Sequence, residues 1–254
     1  MTRRKLPTES DLIPYAPGFP PGGRWLVLVP HPDDEVFGPG ATLAQAAVRG
    51  VEVQVAVVTD GGAQGDAAAR EREVVAAVAA LGLPTPETWR LADRSLDPRD
   101  PALRRAIAGS LRRYRPEVVF VTSPVELHPD HRALALALQR VLRAATIAGT
   151  RAAGPEWVAS YEVDAPLLPN LLVAAGAAWE VKRRAASCHA GQLAFRPYDR
   201  FMEALGALRA LTLDGVEQAE ALHLLAARRV ARLSARGWAS LMGSPAGVVA
   251  GRPA

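Results

Sequence analysis

Apolar residues concentrate in three compact blocks in the first half of the chain: RWLVLVP at 24–30, VEVQVAVVTD at 51–60 and EVVFVTS at 117–123. Each is short, rich in Val and other strand formers, and apolar on both alternating faces, which predicts strands buried on both sides. The stretches between them read as helices. ATLAQAAVRG ends at Gly50, a second helix over about 67–81 ends before Gly82, a third spans about 101–114, and HPDHRALALALQRVLRAAT carries an apolar side long enough to cover a sheet. A weaker strand is expected near TWRLA. Strands that alternate with helices in this way build an α/β fold, a mostly parallel sheet covered by helices on both faces.

Beyond residue 156 the pattern loosens. EWVASYEV and NLLVAA read as further strands, while WEVKRRAASCHA, RFMEALGALRALT and the apolar stretch EALHLL around His223 read as helical. Residues 1–23, rich in Pro and Gly, are expected to form an irregular arm, residues 24–242 a single domain, and residues 243–254 a flexible tail.

Composition narrows the class. With 254 residues and 49% hydrophobic content the chain can bury a substantial core. Its Lys and Arg outnumber Asp and Glu by 30 to 26, a formal charge of +4, and the sequence pI is about 9.7. Those cations are dispersed through helical stretches such as RRAIAGSLRRYR, and no nucleic-acid-binding motif is present, so no nucleic-acid partner is expected. No run of about 18 apolar residues occurs, and Asp11, Pro14, Pro17 and Pro20 interrupt the start, so a cytoplasmic chain without a membrane span is expected. Cys188 is the sole cysteine, which leaves histidine and carboxylate as the ligands for any metal. Composition leaves a homo-oligomer open.

Two of the apolar blocks end in histidine and acid. PHPDDE at 30–35 closes the first, and LHPDH at 127–131 follows the third. In open α/β sheets ligands bind beyond the carboxyl ends of strands, so adjacency of these two strands would bring His31, Asp33, Asp34, His128 and His131 together. Burying such a group without a cation is costly. Two histidines and an aspartate complete a three-ligand zinc shell. Since zinc lowers the pKa of its water from 15.7 toward about 7, a spare carboxylate can then take the proton and a spare histidine can stabilise a developing oxyanion or protonate a leaving group. Single His-Pro-Asp turns are common, and Asp33 or Glu35 could serve only the helix that follows. Two such turns, each closing an apolar strand, favour the ion.

HPDDE, TDGGAQGD and HPDH, with AAARERE, LADRSL, YEVDAPLLPN and WEVKRRAASCHAGQ, resemble the PIG-L (LmbE-like) N-acetylglucosaminyl deacetylases over about residues 24–225. The resemblance implies a Rossmann-like fold and hydrolysis of an N-acetylated sugar conjugate, a small-molecule substrate. It implies His31, Asp34 and His131 as ligands of zinc, and Asp33 as the general base. It gives His128 the polarising or acid role, with Asp130 orienting that imidazole, and it gives Arg70 and Asp93 to the sugar. Fe(II) also suits two histidines and a carboxylate. Ala174 and Gly191 depart from the aspartate and serine that relatives commonly carry, in the half that shapes specificity. A non-sugar or thiol-conjugate amide is the alternative substrate. A nucleotide-binding reading lacks G-x-G-x-x-G, since only GPGATL follows the acidic motif, and a serine hydrolase lacks G-x-S-x-G.

Overall fold

The structure, a computed structural model, describes residues 13–149 and 154–243. Its elements in chain order are β1 (Ala16–Pro17), β2 (Arg24–Val29), α1 (Asp34–Phe37), α2 (Gly40–Val48), β3 (Glu52–Thr59), α3 (Ala67–Ala80), β4 (Glu87–Leu91), α4 (Pro101–Tyr114), β5 (Val118–Thr122) and α5 (Pro129–Ile147). They continue with β6 (Trp157–Tyr161), β7 (Leu171–Ala174), α6 (Ala178–Ser187), α7 (Ala190–Phe195), α8 (Tyr198–Ala210), β8 (Ala219–Ala226), α9 (Ala227–Arg232) and α10 (Ala235–Ser240). The helix ends carry the expected signals. Asp66 caps α3 by accepting from Ala68 N, Asp100 caps α4 by accepting from Ala102 N, and Pro101 opens α4 where its missing N–H is not needed.

The eight strands form one sheet in the order β1-β7-β8-β6-β5-β2-β3-β4. All neighbours are parallel except β8, which runs antiparallel to β6 and β7. The fold is therefore α/β with a mostly parallel sheet, as the strand-helix alternation implies. Side chains alternate across it: Trp25, Val27 and Val29 pack toward α2, α3 and α6, while Leu26 and Leu28 pack toward α4 and α5. Both sets are fully buried, each such side chain contributing about 1.5–3 kcal/mol.

This order settles the adjacency that the sequence left open. β2 lies between β3 and β5, the chain proceeding outward to β3 and β4 on one side and to β5 and β6 on the other. The pairing Trp25↔Val118 and Val27↔Phe120 sets β2 and β5 side by side, so the loops that follow them leave the same edge of the sheet at a topological switch point. A buried ion pair steadies this edge. Glu220 of β8 accepts from Ala41 N, Thr42 N and Thr42 Oγ1 at the start of α2 and is bonded at 2.6 Å by Lys182 Nζ, which also donates to Gly38 O.

One expectation fails. EALHLL, expected as helix, lies in β8, where His223 pairs with Ser160 of β6 and its Nδ1 donates to Leu168 O at 2.7 Å. Ala, Glu and Leu favour helices, but burial between two sheet partners overrides that modest preference. Of the expected arm, residues 1–12 lie outside the described residues. Within 13–23, Ala16–Pro17 pairs with β7 and Pro21 O accepts from Trp25 Nε1. Residue 243 is the only described one of the expected tail; 244–254 lie outside.

Candidate metal centre and catalytic residues

The turn after β2 places His31 and Asp34 one above the other, and Asp34 Oδ2 accepts from His31 N at 2.9 Å. From the other loop, His131 sits in the first turn of α5, its carbonyl held by Thr122 Oγ1 at 3.0 Å. His31 Nδ1, Asp34 Oδ2 and His131 Nε2 form a triangle with edges of 3.4, 3.3 and 3.2 Å. The ligands of a tetrahedral zinc ion with bonds of about 2.0–2.1 Å stand about 3.3 Å apart, so the triangle has the dimensions such an ion imposes.

Electrostatics agree with that fit. Burial pulls the His131 imidazole toward neutrality, yet Asp34 and Glu126 outweigh it and lift its pKa to about 10. His31 is likewise raised well above its usual value, burial being overcome by Asp130, Asp34 and Asp93. Asp34 is driven well down despite its burial, by His131 and His31. A divalent ion held between Asp34 and the two imidazoles would supply positive charge to this acidic surrounding. The set of two nitrogens and one oxygen suits zinc or Fe(II).

The groups behind the triangle differ in one respect from expectation. Asp130, expected to orient His128, turns its carboxylate instead to His31 Nε2 at 3.3 Å. It is fixed there by the backbone N–H groups of Arg94 and Leu96, at 2.8 and 3.2 Å. The reason is local. His128 caps α5, its Nδ1 accepting from Asp130 N, and the Asp130 side chain projects from the first turn toward the LADRSL loop. Asp93 joins Asp130 at His31, with Oδ1 3.1 Å from Nε2 and Oδ2 accepting from Ala63 N. Burial opposes its ionisation, but the His31 contact outweighs it and holds Asp93 at about 2. A carboxylate on the outer nitrogen of a metal-binding histidine fixes tautomer and ring orientation. Glu126 stands 3.6 Å from His131 Nδ1, a nitrogen with no hydrogen-bond partner among the described residues.

Asp33 follows immediately with φ 139°, a conformation strained for any residue with a Cβ. Three contacts hold it. Its N–H donates to Glu35 Oε2 at 3.0 Å, and its carboxylate takes Arg70 Nη2 at 3.3 Å, the same nitrogen donating to Pro32 O at 2.5 Å. Glu35 is fully buried and its other oxygen meets His189 Nε2 at 3.0 Å. Burial first, then the Asp34 charge, pushes the Asp33 carboxyl up to about 7, against the pull of Arg70. His128, 4.5 Å from His31 between ring centres, is held below the ordinary imidazole range by burial and by the two neighbouring imidazoles. Because its Nδ1 accepts a hydrogen bond, its Nε2 carries the proton.

The cavity over these groups is small, about 70 Å³, and Arg70, Asp93, Asp164 and Tyr198 also line it. Arg70 Nε and Nη1 are buried without a partner among the described residues. A groove of about 1180 Å³ between α2 and α6 holds none of the histidines. Sequence reasoning missed Glu126 and treated Glu35 only as a helix-end charge, and for His189 it leaves open a place in the pocket or a capping or packing role. Glu126 stands two positions before His128 and Glu35 is the last letter of HPDDE, whereas nothing in the sequence ties His189 to Glu35. No described helix is long and apolar enough to cross a membrane.

Comparison with known proteins is consistent with this arrangement. Residues 26–142, which contain both histidine motifs, match the family model described as PIG-L, GlcNAc-PI de-N-acetylase. The diacetylchitobiose deacetylase of Thermococcus kodakarensis is 29% identical over 188 residues, 66% of this chain and 69% of that protein. Among solved structures, the conserved protein TT1542 of Thermus thermophilus is 30% identical with a TM-score of 0.69, covering 78% of this chain and 93% of that one. The N,N'-diacetylchitobiose deacetylase of Pyrococcus horikoshii, in complex with its inhibitor MPG, shares the fold at a TM-score of 0.69 and 24% identity, covering 81% and 85%. The chain belongs to the PIG-L family of deacetylases.

Proposed function

We propose that this protein hydrolyses the acetamide of an N-acetylglucosamine-type conjugate, releasing acetate and a free amine, with zinc as its ion. The observation that carries the reading is the triangle of His31 Nδ1, Asp34 Oδ2 and His131 Nε2 beneath a cavity that Asp33 and His128 both line. A divalent ion bound there supplies Lewis acidity toward the amide carbonyl and toward water.

The remaining roles belong to the chain. Asp33, with a proton affinity near neutrality, takes the proton of the attacking water on its carboxylate and returns it to the departing nitrogen. His128 Nε2–H donates to the oxygen on which negative charge develops. Asp130 and Asp93 keep the His31 ring turned with Nδ1 toward the ligand triangle. Arg70 has two buried nitrogens, Nε and Nη1, left as donors for hydroxyl groups of the sugar, and Asp93 lines the same cavity as an acceptor. The relative named diacetylchitobiose deacetylase supports an amino-sugar substrate.

The test is to strip the protein of metal, reload it with Zn²⁺ or Fe²⁺ in separate anaerobic samples, and assay primary amine released from N-acetylated sugars, their conjugates and non-sugar amides. Amine from at least one N-acetylglucosamine conjugate with the zinc sample is the expected result. Amine from non-sugar amides alone would contradict the sugar assignment, and activity confined to the iron sample would contradict the choice of ion.

A further inference from the structure

Of the three acids in PHPDDE, Asp34 belongs to the ligand triangle and Asp33 lines the cavity, but Glu35 stands outside that lining. Its side chain is fully buried. So is His189, whose Nε2 lies 3.0 Å from Glu35 Oε1 across 154 positions of the chain. A carboxylate only accepts, so Nε2 carries the proton of this bond. His189 Nδ1 has no partner among the described residues, which leaves Glu35 as the ring's one described hydrogen-bond partner. Stability is a weak reason to keep such a pair, because the cost of taking both groups out of water offsets most or all of their attraction.

What the pair touches gives a better reason. Glu35 Oε2 accepts from Asp33 N at 3.0 Å, and Asp33 has φ 139°, a backbone that a residue with a Cβ keeps only where its neighbours over-determine it. His189 is itself fixed, as the corner between α6 and α7. Its N–H donates to Ala186 O at 3.0 Å, and its carbonyl accepts from Gln192 N at 3.1 Å and Leu193 N at 3.0 Å. Two residues on, Gly191 N donates at 2.9 Å to Oε1 of Glu73, three positions after Arg70 in α3. A Cβ at Gly191 would come within 3.3 Å of that oxygen, so glycine suits the close approach. Arg70 in turn donates to the Asp33 carboxylate. The corner thus reaches Asp33 by two routes, through Glu35 to its N–H and through α3 to its carboxylate.

We propose that His189 is a positioning residue for the base. By orienting the Glu35 carboxylate it holds the Asp33 peptide in its strained conformation, and so aims the Asp33 carboxylate into the space above the ligand triangle. The proposal rests on the deacetylase reading above, in which Asp33 is the base. His189 lines no part of the metal cavity and belongs to no ligand set, so its loss leaves substrate binding and zinc in place. Turnover is what suffers, since a displacement of about 1 Å caused by a change outside the chemistry costs about 10²-fold.

The experiment compares the zinc-loaded wild type with His189→Leu, with His189→Gln, which retains a side-chain N–H donor, and with the double variant Glu35→Met/His189→Leu, which removes both buried charges together. It measures kcat and KM for N-acetylglucosamine and N,N'-diacetylchitobiose, zinc content, the urea midpoint and the amide exchange rate of Asp33 N–H. In His189→Leu the expected result is kcat at least tenfold lower, KM within threefold, one zinc per chain and faster Asp33 exchange. His189→Gln is expected to recover kcat to within threefold of wild type. The double variant should have a urea midpoint at or above that of His189→Leu and still be at least tenfold slow, and it carries the same test if His189→Leu does not fold. Wild-type kcat in His189→Leu or in the double variant would overturn the proposal and leave the pair a purely structural one. Equal losses in His189→Leu and His189→Gln would overturn it in favour of ring packing. Asp33 N–H exchanging at the wild-type rate in His189→Leu would overturn the hold whichever way activity falls. No amine from either sugar, in wild type that retains its zinc, would instead overturn the deacetylase reading.

Discussion

The two walls of the cavity are built on different terms. On the sheet side, His31, Asp34, Glu35, Asp130 and His131 are all buried, and each makes polar contact with backbone or with another side chain of the cluster. On the outer side, where the adjoining cleft opens, Leu127 from the loop before α5 and Phe201 from α8 stand largely exposed, and Tyr198, which lines both spaces, is half-buried, stacked on Phe37 with ring centroids 5.4 Å apart. The first wall fixes groups in position at the expense of burying like charges and straining the Asp33 backbone. The second offers surface with little to constrain it. On the proposed reading turnover resides in the rigid wall, whereas the loose wall leaves room for substrates to differ.

Substitutions in the rigid wall break that comparison most directly. Asp33→Asn keeps the shape and the Arg70 contact but removes the proton acceptor, so kcat is expected to fall by about 10²–10⁴ while metal content is unchanged. A variant within threefold of wild-type turnover would remove Asp33 from the mechanism. Glu35→Ala strips the partner from both Asp33 N–H and His189 Nε2 inside a closed core. A loss of about 3–5 kcal/mol in urea unfolding is expected, as for a broken buried pair, and Glu35→Gln, which keeps an acceptor, should lose less. Equal losses would show that charge alone, and not the hold on Asp33, is what Glu35 contributes.

The pH dependence gives a smaller and sharper test. Asp33 binds its proton up to about pH 7 in the folded protein but only up to about its ordinary 3.8 when unfolded. Between those values the folded state carries the extra proton, so stability falls as pH rises through the window. In metal-free protein the stability difference between Asp33→Asn and wild type should therefore widen from pH 4 to pH 8, by on the order of 3 kcal/mol. A gap that stays constant would mean that Asp33 titrates normally. In the same account kcat/KM of the loaded enzyme rises with pH as the base loses its proton, and levels off beyond.

What could be read from the sequence follows the same division. RWLVLV and EVVFVTS are recognisable because a central parallel strand is apolar on both faces, and the two histidine motifs are recognisable because charge placed directly after such strands needs a reason. Contacts between loops were not accessible. The resemblance sets Asp130 against His128, whereas the turn of α5 carries its carboxylate to His31 and the backbone of Arg94. His189 reaches Glu35 from an element far along the chain, and its spacing carries no trace of that. In the second half the apolar pattern of EALHLL reads as helix, in residues of good helix propensity, and only its sheet partners make it a strand.

The most direct measurement is the metal content and zinc affinity of the wild type beside a folded His131→Ala variant, by elemental analysis after dialysis and by competition with a chromophoric chelator. One zinc per chain in the wild type and at least a tenfold weaker hold in the variant is the predicted result. Undiminished zinc affinity in His131→Ala would contradict the claim that the two loops grip a common ion.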